Sequence, residues 1–251
     1  MSIENLRALV AEAIGTFALV FAGCGAIMVE AKTHALGHVG VAITFGLVIM
    51  SGIYAVGHIS GAHFNPSVTF AFVLSRHFPW MRALGYWGAQ LIGAIAAAAV
   101  LRGSLGNIAN VGATLPSGSQ GQSFLWELVL TFFLMFVIMA VATDTRAVGE
   151  AAAIAVGGTV GLDAMFGGPI SGASMNPARS IGPALVSGNL HALWLYIVAP
   201  ICGASLAALA YQFVRGEPTR RAPIVEEPAP ARAGGQPESP RGRRSDPRHR
   251  D

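Results

Sequence analysis

The sequence predicts an all-α membrane protein with six transmembrane helices and two re-entrant half-helices, arranged as an inverted repeat. The first observation is composition: the 251 residues are 53% hydrophobic and only 12% charged, which is too apolar for an ordinary soluble domain. The second is that apolar stretches long enough to cross a bilayer recur along the chain. The third is an eight-residue phrase written twice, at 59–66 and at 170–177, with six of the eight letters identical.

The apolar stretches divide the chain into two halves of the same plan. Each half has three segments near the roughly 17–25 residues that a span needs, and one segment too short to cross. In chain order the predicted segments are about 8–30, 39–57, 65–75 (half-helix), 83–101, 123–143, 150–168, 177–187 (half-helix) and 190–214. Because each half has an odd number of spans, the second half is inserted in the opposite orientation to the first. The two short segments then meet near the midplane of the membrane.

Asparagine and proline mark the start of each half-helix. Proline in the first turn loses no needed donor, and its φ is already helical. The two motifs are Asn65, Pro66, Ser67 and Asn176, Pro177, Ala178. Irregular backbone at membrane depth is tolerated only where it is buried in protein or lines a wet cavity. The half-helix N-termini and the asparagine amides therefore predict a water-filled path that donates to neutral molecules and repels cations.

Five polar residues near the phrases are candidates for function. Arg179 is predicted to be a fixed cation at a constriction, the alternative being an arginine that snorkels to the interface. Glu12 and Glu127 recur in Glu-x-x-x-Thr-Phe, and we interpret them as buried acceptors for loop backbone, with a proton relay as the alternative. His58 and His63 flank the first phrase, where a metal site lacks a third ligand; pinning of the loop is the preferred interpretation.

Three other residues are less informative. Asp163 has no counterpart in the first half, and the sequence does not decide whether it bonds loop backbone or lines the mouth of the path. Cys24 and Cys202 lie inside apolar stretches, which favours buried thiols over a disulfide.

Residues 102–122, with five glycines, are predicted to be the loop that joins the halves.

Charge is concentrated at the C-terminal end. Residues 1–214 hold seven Lys/Arg and seven Asp/Glu, whereas 215–251 hold nine and six. We predict a channel domain over 1–214, with repeats at about 5–101 and 123–214, followed by a disordered basic tail, for which lipid binding is an alternative role. The basic turns at 76–82 and 146, Arg7 and the tail fall on one side, which predicts cytoplasmic termini.

The two Asn-Pro half-helices in inverted halves resemble the aquaporin (major intrinsic protein) family over about residues 5–214. The run Gly-Gly-Pro-Ile-Ser-Gly-Ala-Ser-Met-Asn-Pro-Ala-Arg-Ser is most similar to the nodulin-like intrinsic proteins and their bacterial relatives. Ser67 departs from the family's usual alanine. The resemblance implies a homotetramer with one pore per protomer in a plasma or bacterial inner membrane. It implies no cofactor, no metal, no enzyme activity and no nucleic-acid partner.

The resemblance also implies a selectivity constriction formed by Phe45, Ala164, Ala173 and Arg179. Water-selective members usually have histidine at the Ala164 position, so two alanines imply a wider ring. Expected solutes are water, glycerol and neutral metalloid acids such as arsenite or boric acid, with ions and protons excluded. Ser180 stands where typical glycerol facilitators have aspartate. A strictly water-selective channel, an ion-coupled transporter and an occluded structural protein remain alternatives, the transporter disfavoured because ionisable groups other than Arg179 are missing at the midplane.

Overall fold

The computed structural model describes residues 2–143 and 151–216, and within these ranges the regular structure is entirely helical. The segments are α1 (Ile3–Thr33), α2 (Gly37–Ser60), α3 (Pro66–Leu74), α4 (Trp80–Leu105), α5 (Ala109–Gly112), α6 (Gln120–Thr143), α7 (Ala152–Ser171), α8 (Pro177–Ser187) and α9 (Leu195–Val214). The turn predicted at 144–146, with Arg146, and the tail from 217 onward lie outside the described residues.

Six helices of the described chain, α1, α2, α4, α6, α7 and α9, are long and apolar enough to cross a membrane. Their outward faces carry large apolar side chains, such as Ile14, Leu47 and Phe133, which are 60%, 52% and 52% exposed. Lipid tails are as apolar as a protein core, so such faces are stable in a bilayer. The predicted fold class is confirmed, and the helices run several residues past most of the predicted spans.

Close glycine contacts join the spans, and they repeat between the halves. A Cβ on Gly93 of α4 would lie 2.2 Å from the carbonyl oxygen of Ala13 on α1. A Cβ on Gly203 of α9 would lie 2.2 Å from the carbonyl oxygen of Leu128 on α6. Small residues let membrane helices approach at backbone distance. The α1–α4 and α6–α9 pairs are therefore built in the same way, as an internal repeat requires.

Each half-helix begins at the proline of its motif. Asn65 and Asn176 are the N-caps of α3 and α8, with extended backbone at φ −152° and −150°. The Oδ1 atom of Asn65 accepts from the backbone N–H of Ser67 at 2.9 Å. That of Asn176 accepts from the N–H groups of Ala178 and Arg179 at 3.0 and 3.3 Å. The predicted half-helices match α3 and α8 to within a residue at each end.

The linker between the halves is more ordered than the sequence predicted. The four residues of α5 have left-handed φ values of 45°, 51°, 57° and 69°. For residues other than glycine this conformation costs about 1–2 kcal/mol each. Val111, which is fully buried in a cluster with Val20, Cys24 and Met28, offsets part of that cost. The prediction of a plain loop was incomplete because glycine content indicates only local flexibility. It does not reveal tertiary contacts, such as the burial of Val111, that fix the backbone.

Candidate functional site

The two half-helices are tied to each other through their asparagines. Nδ2 of Asn65 donates to the carbonyl oxygen of Met175 at 2.8 Å, and Nδ2 of Asn176 donates to that of Phe64 at 2.8 Å. A primary amide has two N–H donors. One on each asparagine is therefore used by the opposite loop, and one remains for a molecule in the path. No feature of the sequence predicted that the opposite loop uses one donor of each amide.

The loops before the half-helices have alternating left-handed residues. In the first loop φ is 50° at Ala62 and 48° at Phe64, and in the second it is 41° at Ala173 and 53° at Met175. Such conformations persist when the surroundings fix them. Here they turn the Phe64 and Met175 carbonyls toward the asparagine of the other loop.

Two fully buried carboxylates hold these loops. Glu12 accepts from Ser60 Oγ at 2.7 Å, His63 N at 2.9 Å, Phe64 N at 2.7 Å and Gln90 Nε2 at 2.8 Å. Glu127 accepts from Ser171 Oγ at 2.7 Å, Ser174 N at 2.8 Å and Met175 N at 2.8 Å. Neither carboxylate lines the cavity between the loops. This geometry favours the role of loop acceptor over that of proton relay.

Two tyrosines complete the same arrangement and were missed by the sequence analysis. The hydroxyl of Tyr86 donates to the carbonyl of Ser60 at 2.8 Å, and that of Tyr196 donates to the carbonyl of Ser171 at 2.6 Å. The signal was available, since a tyrosine stands at the same position in the third span of each half. Each loop is thus fixed from two neighbouring helices.

The two histidines beside the first phrase lie in different environments. His63 faces inward: its Nδ1 is 3.0 Å from the hydroxyl of Thr69, and its ring packs against Phe72 and Tyr86. His58 is exposed and has no hydrogen bond within the described residues. The structure therefore brings His63 to the loop and leaves His58 exposed in the last turn of α2.

A narrow central cavity of about 50 Å³ runs past both asparagines. One water needs roughly 10–15 Å³ measured in this way, so the cavity has room for a short file of waters. A second, wider cavity of about 620 Å³, here called the vestibule, is lined by residues that include Glu30, His38 and Thr114. Among the residues that the structure describes, four line both cavities: Phe45, Ala164, Ala173 and Arg179.

These four residues, here called the ring, separate the vestibule from the central cavity. On the inner side the cavity has an apolar wall and a polar strip. The apolar wall includes Leu19, Ile49, Leu134, Ile138, Val156 and Val160. The polar strip includes His63, Asn65, Ser174 and Asn176. A molecule in this path is offered hydrogen bonds along one edge and apolar contact along the other.

Arg179 is buried at the ring with 1% of its surface exposed. Its Nη1 donates to the carbonyl oxygen of Gly112 at 2.9 Å, and its guanidinium carbon lies 5.2 Å from the centre of the Phe45 ring. No carboxylate lies within ion-pair distance of it in the described parts of the chain, and its Nε lacks a protein partner there. Burial at this depth contradicts the alternative of an arginine snorkelling to the interface.

The linker supplies contacts that sequence reasoning missed. The left-handed turn of α5 presents the Gly112 carbonyl that binds Arg179. Two residues after Gly112, the hydroxyl of Thr114 lies 2.7 Å from the hydroxyl of Ser180. The Ser180 hydroxyl in turn lies 2.5 Å from the hydroxyl of Ser174. No sequence signal connected the linker with the second half-helix, because these contacts span more than sixty residues and occur once.

Phe45 and Asp163 differ in how far the structure explains them. The ring of Phe45 rests on Gly23, where a Cβ would lie 2.1 Å from Phe45 Cε1, so α1 makes room for the aromatic wall.

Asp163 is 2% exposed on α7, and its Oδ2 has no hydrogen bond within the described residues. It lines neither cavity, and nothing in the structure explains it.

A path with an apolar wall, a strip of fixed donors and a buried cation at the ring between its two cavities defines a channel. A family model described as "Major intrinsic protein" matches residues 1–211. The chain is 55% identical to "Aquaporin NIP1-4" of Oryza sativa subsp. japonica, with 86% of this chain and 79% of the relative covered. It is 49% identical to "Nodulin-26" of Glycine max, with 86% and 80% covered.

A solved structure agrees with these relatives. The aquaglyceroporin from Plasmodium falciparum superimposes with a TM-score of 0.73 and 27% identity, covering 82% of this chain and 95% of the other. The chain belongs to the major intrinsic protein family. It is a membrane protein that acts as a passive channel for water and small neutral solutes, and not as an enzyme.

Proposed function

We propose that the channel conducts glycerol and neutral metalloid acids, such as boric or arsenous acid, together with water, and that the ring sets its size limit. The observation that carries the proposal is that Phe45, Ala164, Ala173 and Arg179 are the residues shared by the vestibule and the central cavity. Two of the four contribute only a methyl group, so the ring is wide on two sides.

The chemistry of the ring suits a small polyol or a weak acid in its neutral form. Arg179 has donors on one side, and Ser174 and the asparagines continue the polar strip inward. Phe45 and Ala164 offer apolar contact to the carbon side of a polyol. A solute whose hydroxyls lie along one edge replaces the hydrogen bonds it had in water, so its desolvation is compensated along the path.

Ions and protons are excluded by the same groups. A cation meets the buried charge of Arg179 and then the positive ends of α3 and α8. The free N–H of Asn65 and of Asn176 can donate to one water between them. That water has both lone pairs engaged and its own hydrogens directed outward, so it cannot accept a proton from a neighbouring water.

Uptake by reconstituted vesicles tests the solute range. Proteoliposomes placed in hyperosmotic glycerol or boric acid should shrink and then swell again as the solute enters. Shrinkage without recovery would favour the strictly water-selective alternative and overturn the proposal. Flux that depends on a sodium or pH gradient would favour a coupled transporter.

We further propose a homotetramer with one pore per protomer, in a plasma or bacterial inner membrane, with both termini cytoplasmic. An even number of spans supports this proposal, because it would return the chain to the face on which it began, and the exposed Arg7 and Arg82 belong to the ends of spans on that face. Residues 1–214 would form the channel domain and 215–251 a basic tail. Light scattering of the purified protein tests the tetramer. Accessibility of an N-terminal tag in intact cells tests the orientation, and a reactive tag would contradict it.

A further inference from the structure

Helix α7 contains a proline, and the carbonyl that this proline leaves free is bound by another helix. Pro169 lies inside α7 and has no N–H, so the carbonyl oxygen of Met165, four residues earlier, lacks its helical donor. His38 Nε2 lies 2.7 Å from that oxygen. A carbonyl can only accept, so Nε2 carries the hydrogen. The imidazole replaces the donor that Pro169 removes.

The surroundings are shaped for this contact. A Cβ on Gly168 would lie 2.7 Å from His38 Cε1, so glycine makes room for the imidazole on α7. Glu30, at the end of α1, accepts from the backbone N–H groups of Leu36 and Gly37 at 2.8 and 2.7 Å. The first turn of α2, from which His38 projects, is therefore held in place by a side chain of the preceding helix.

The bond joins the two helices that carry Phe45 and Ala164 of the ring. Met165 follows Ala164 directly, and Phe45 lies two helical turns beyond His38 on the same face of α2. A second contact fixes α2 to α7 further inward, where Cβ atoms on Gly46 and Gly157 would each lie 2.7 Å from the other's carbonyl oxygen. Ala164 thus adjoins the His38–Met165 anchor, and Phe45 adjoins the Gly46–Gly157 anchor.

The two anchors differ in whether water can take over the contact when a side chain is changed. The Gly46–Gly157 contact is backbone packing within the membrane. The His38–Met165 bond lies beside the vestibule, since His38, Gly168 and Pro169 all line it. Vestibule water can bind the Met165 carbonyl when the imidazole is removed. Loss of the bond therefore costs little folding free energy, but it releases the outer end of α7 from α2.

We propose that His38 is a positioning residue for solute selection: by binding the carbonyl freed at Pro169, it holds Ala164 at a fixed distance from Phe45. The inference rests on the proposed role of the ring in setting the size limit. Without the bond, the outer end of α7 moves away from α2 and the ring admits larger polyols.

The test compares the permeability of a four-carbon polyol with that of glycerol, in proteoliposomes with equal protein content. His38→Phe keeps an aromatic ring and removes the donor. Because the bond holds the Ala164 side of the ring in place, its loss should raise the permeability ratio about two- to tenfold. His38→Gln keeps an N–H donor and should restore the wild-type ratio. His38→Ala serves the same purpose as His38→Phe if that variant does not assemble.

A double variant separates the link between α2 and α7 from the need of the Met165 carbonyl for a donor. Pro169→Ala returns an N–H to α7 that can bind this carbonyl, but it does not rejoin α7 to α2, so adding it to His38→Phe should leave the ratio raised. An unchanged ratio in His38→Phe would overturn the inference, and so would a double variant that returns to the wild-type ratio. Ala164→His, run in parallel, tests the ring itself. If it blocks glycerol while His38→Phe has no effect, only the role of His38 fails.

Discussion

Ala164→His closes the ring from a side where only a methyl group lines it. Ala164 lines both the central cavity and the vestibule, so an imidazole there has to occupy the passage. Phe45 cannot retreat to compensate, because its ring rests on Gly23. Forcing extra atoms into a packed site costs about 1–3 kcal/mol. If a glycerol molecule has to displace the imidazole to pass, this free energy adds to its barrier and slows it about 5- to 150-fold.

Water should pass at close to the wild-type rate, because an imidazole offers it hydrogen bonds at the same place. Stopped-flow light scattering of proteoliposomes measures the water rate from the initial shrinkage and the glycerol rate from the re-swelling in glycerol. Ala164→Ser is the matched control, since it adds polarity and almost no volume, and it should keep both rates. Unchanged glycerol entry in Ala164→His would refute the assignment of this position to the ring.

Three other predictions concern the supports of the path. Gly23→Ala should push Phe45 into the opening of the ring and lower both the rate of glycerol entry and the melting temperature, because overpacking costs about 1–3 kcal/mol. Wild-type values of both would be evidence against the Gly23–Phe45 contact. Glu127→Gln replaces an acceptor with a donor among three buried bonds, which should cost about 1–3 kcal/mol and lower the melting temperature in detergent by several degrees; an unchanged midpoint would contradict the loop role. Mercuric chloride should inhibit osmotic swelling only weakly, because Ala173 has no thiol, Cys24 is fully buried, and Cys202, which is partly exposed and not buried as predicted, lines neither cavity. Strong inhibition of the wild type would show an accessible thiol in the path, whereas Ala173→Cys should become sensitive.

The fold was predictable because bilayer thickness constrains the chain. Spans must be long and uncharged, and a segment such as α3, opened by Asn65-Pro66, is too short to cross. The ends were less predictable: α4 runs to Leu105, beyond the apolar stretch, because a helix does not stop where the hydrocarbon does. The linker was predicted least well, since buried Val111 holds a conformation that local propensity opposes.

The site was predictable where the sequence repeats itself. The symmetric positions of Glu12 and Glu127 predicted paired loop acceptors, and the geometry agrees with that interpretation. The contacts of Arg179 with Gly112 and of His38 with Met165 join distant segments once each, so no repeat signals them. His58 shows the opposite error, because adjacency to the phrase in sequence did not give it a bond to the loop: it is exposed and makes no hydrogen bond within the described residues.

The account's central claim is that one ring admits small neutral solutes while the asparagines and Arg179 stop charge. The most direct measurement loads wild-type proteoliposomes with a pH-sensitive dye and follows light scattering and internal pH together under opposed glycerol and proton gradients. The account predicts rapid re-swelling at a rate linear in the glycerol gradient, with internal pH drifting no faster than in protein-free vesicles. Re-swelling that is absent, or a proton leak that rises with protein content, would contradict it.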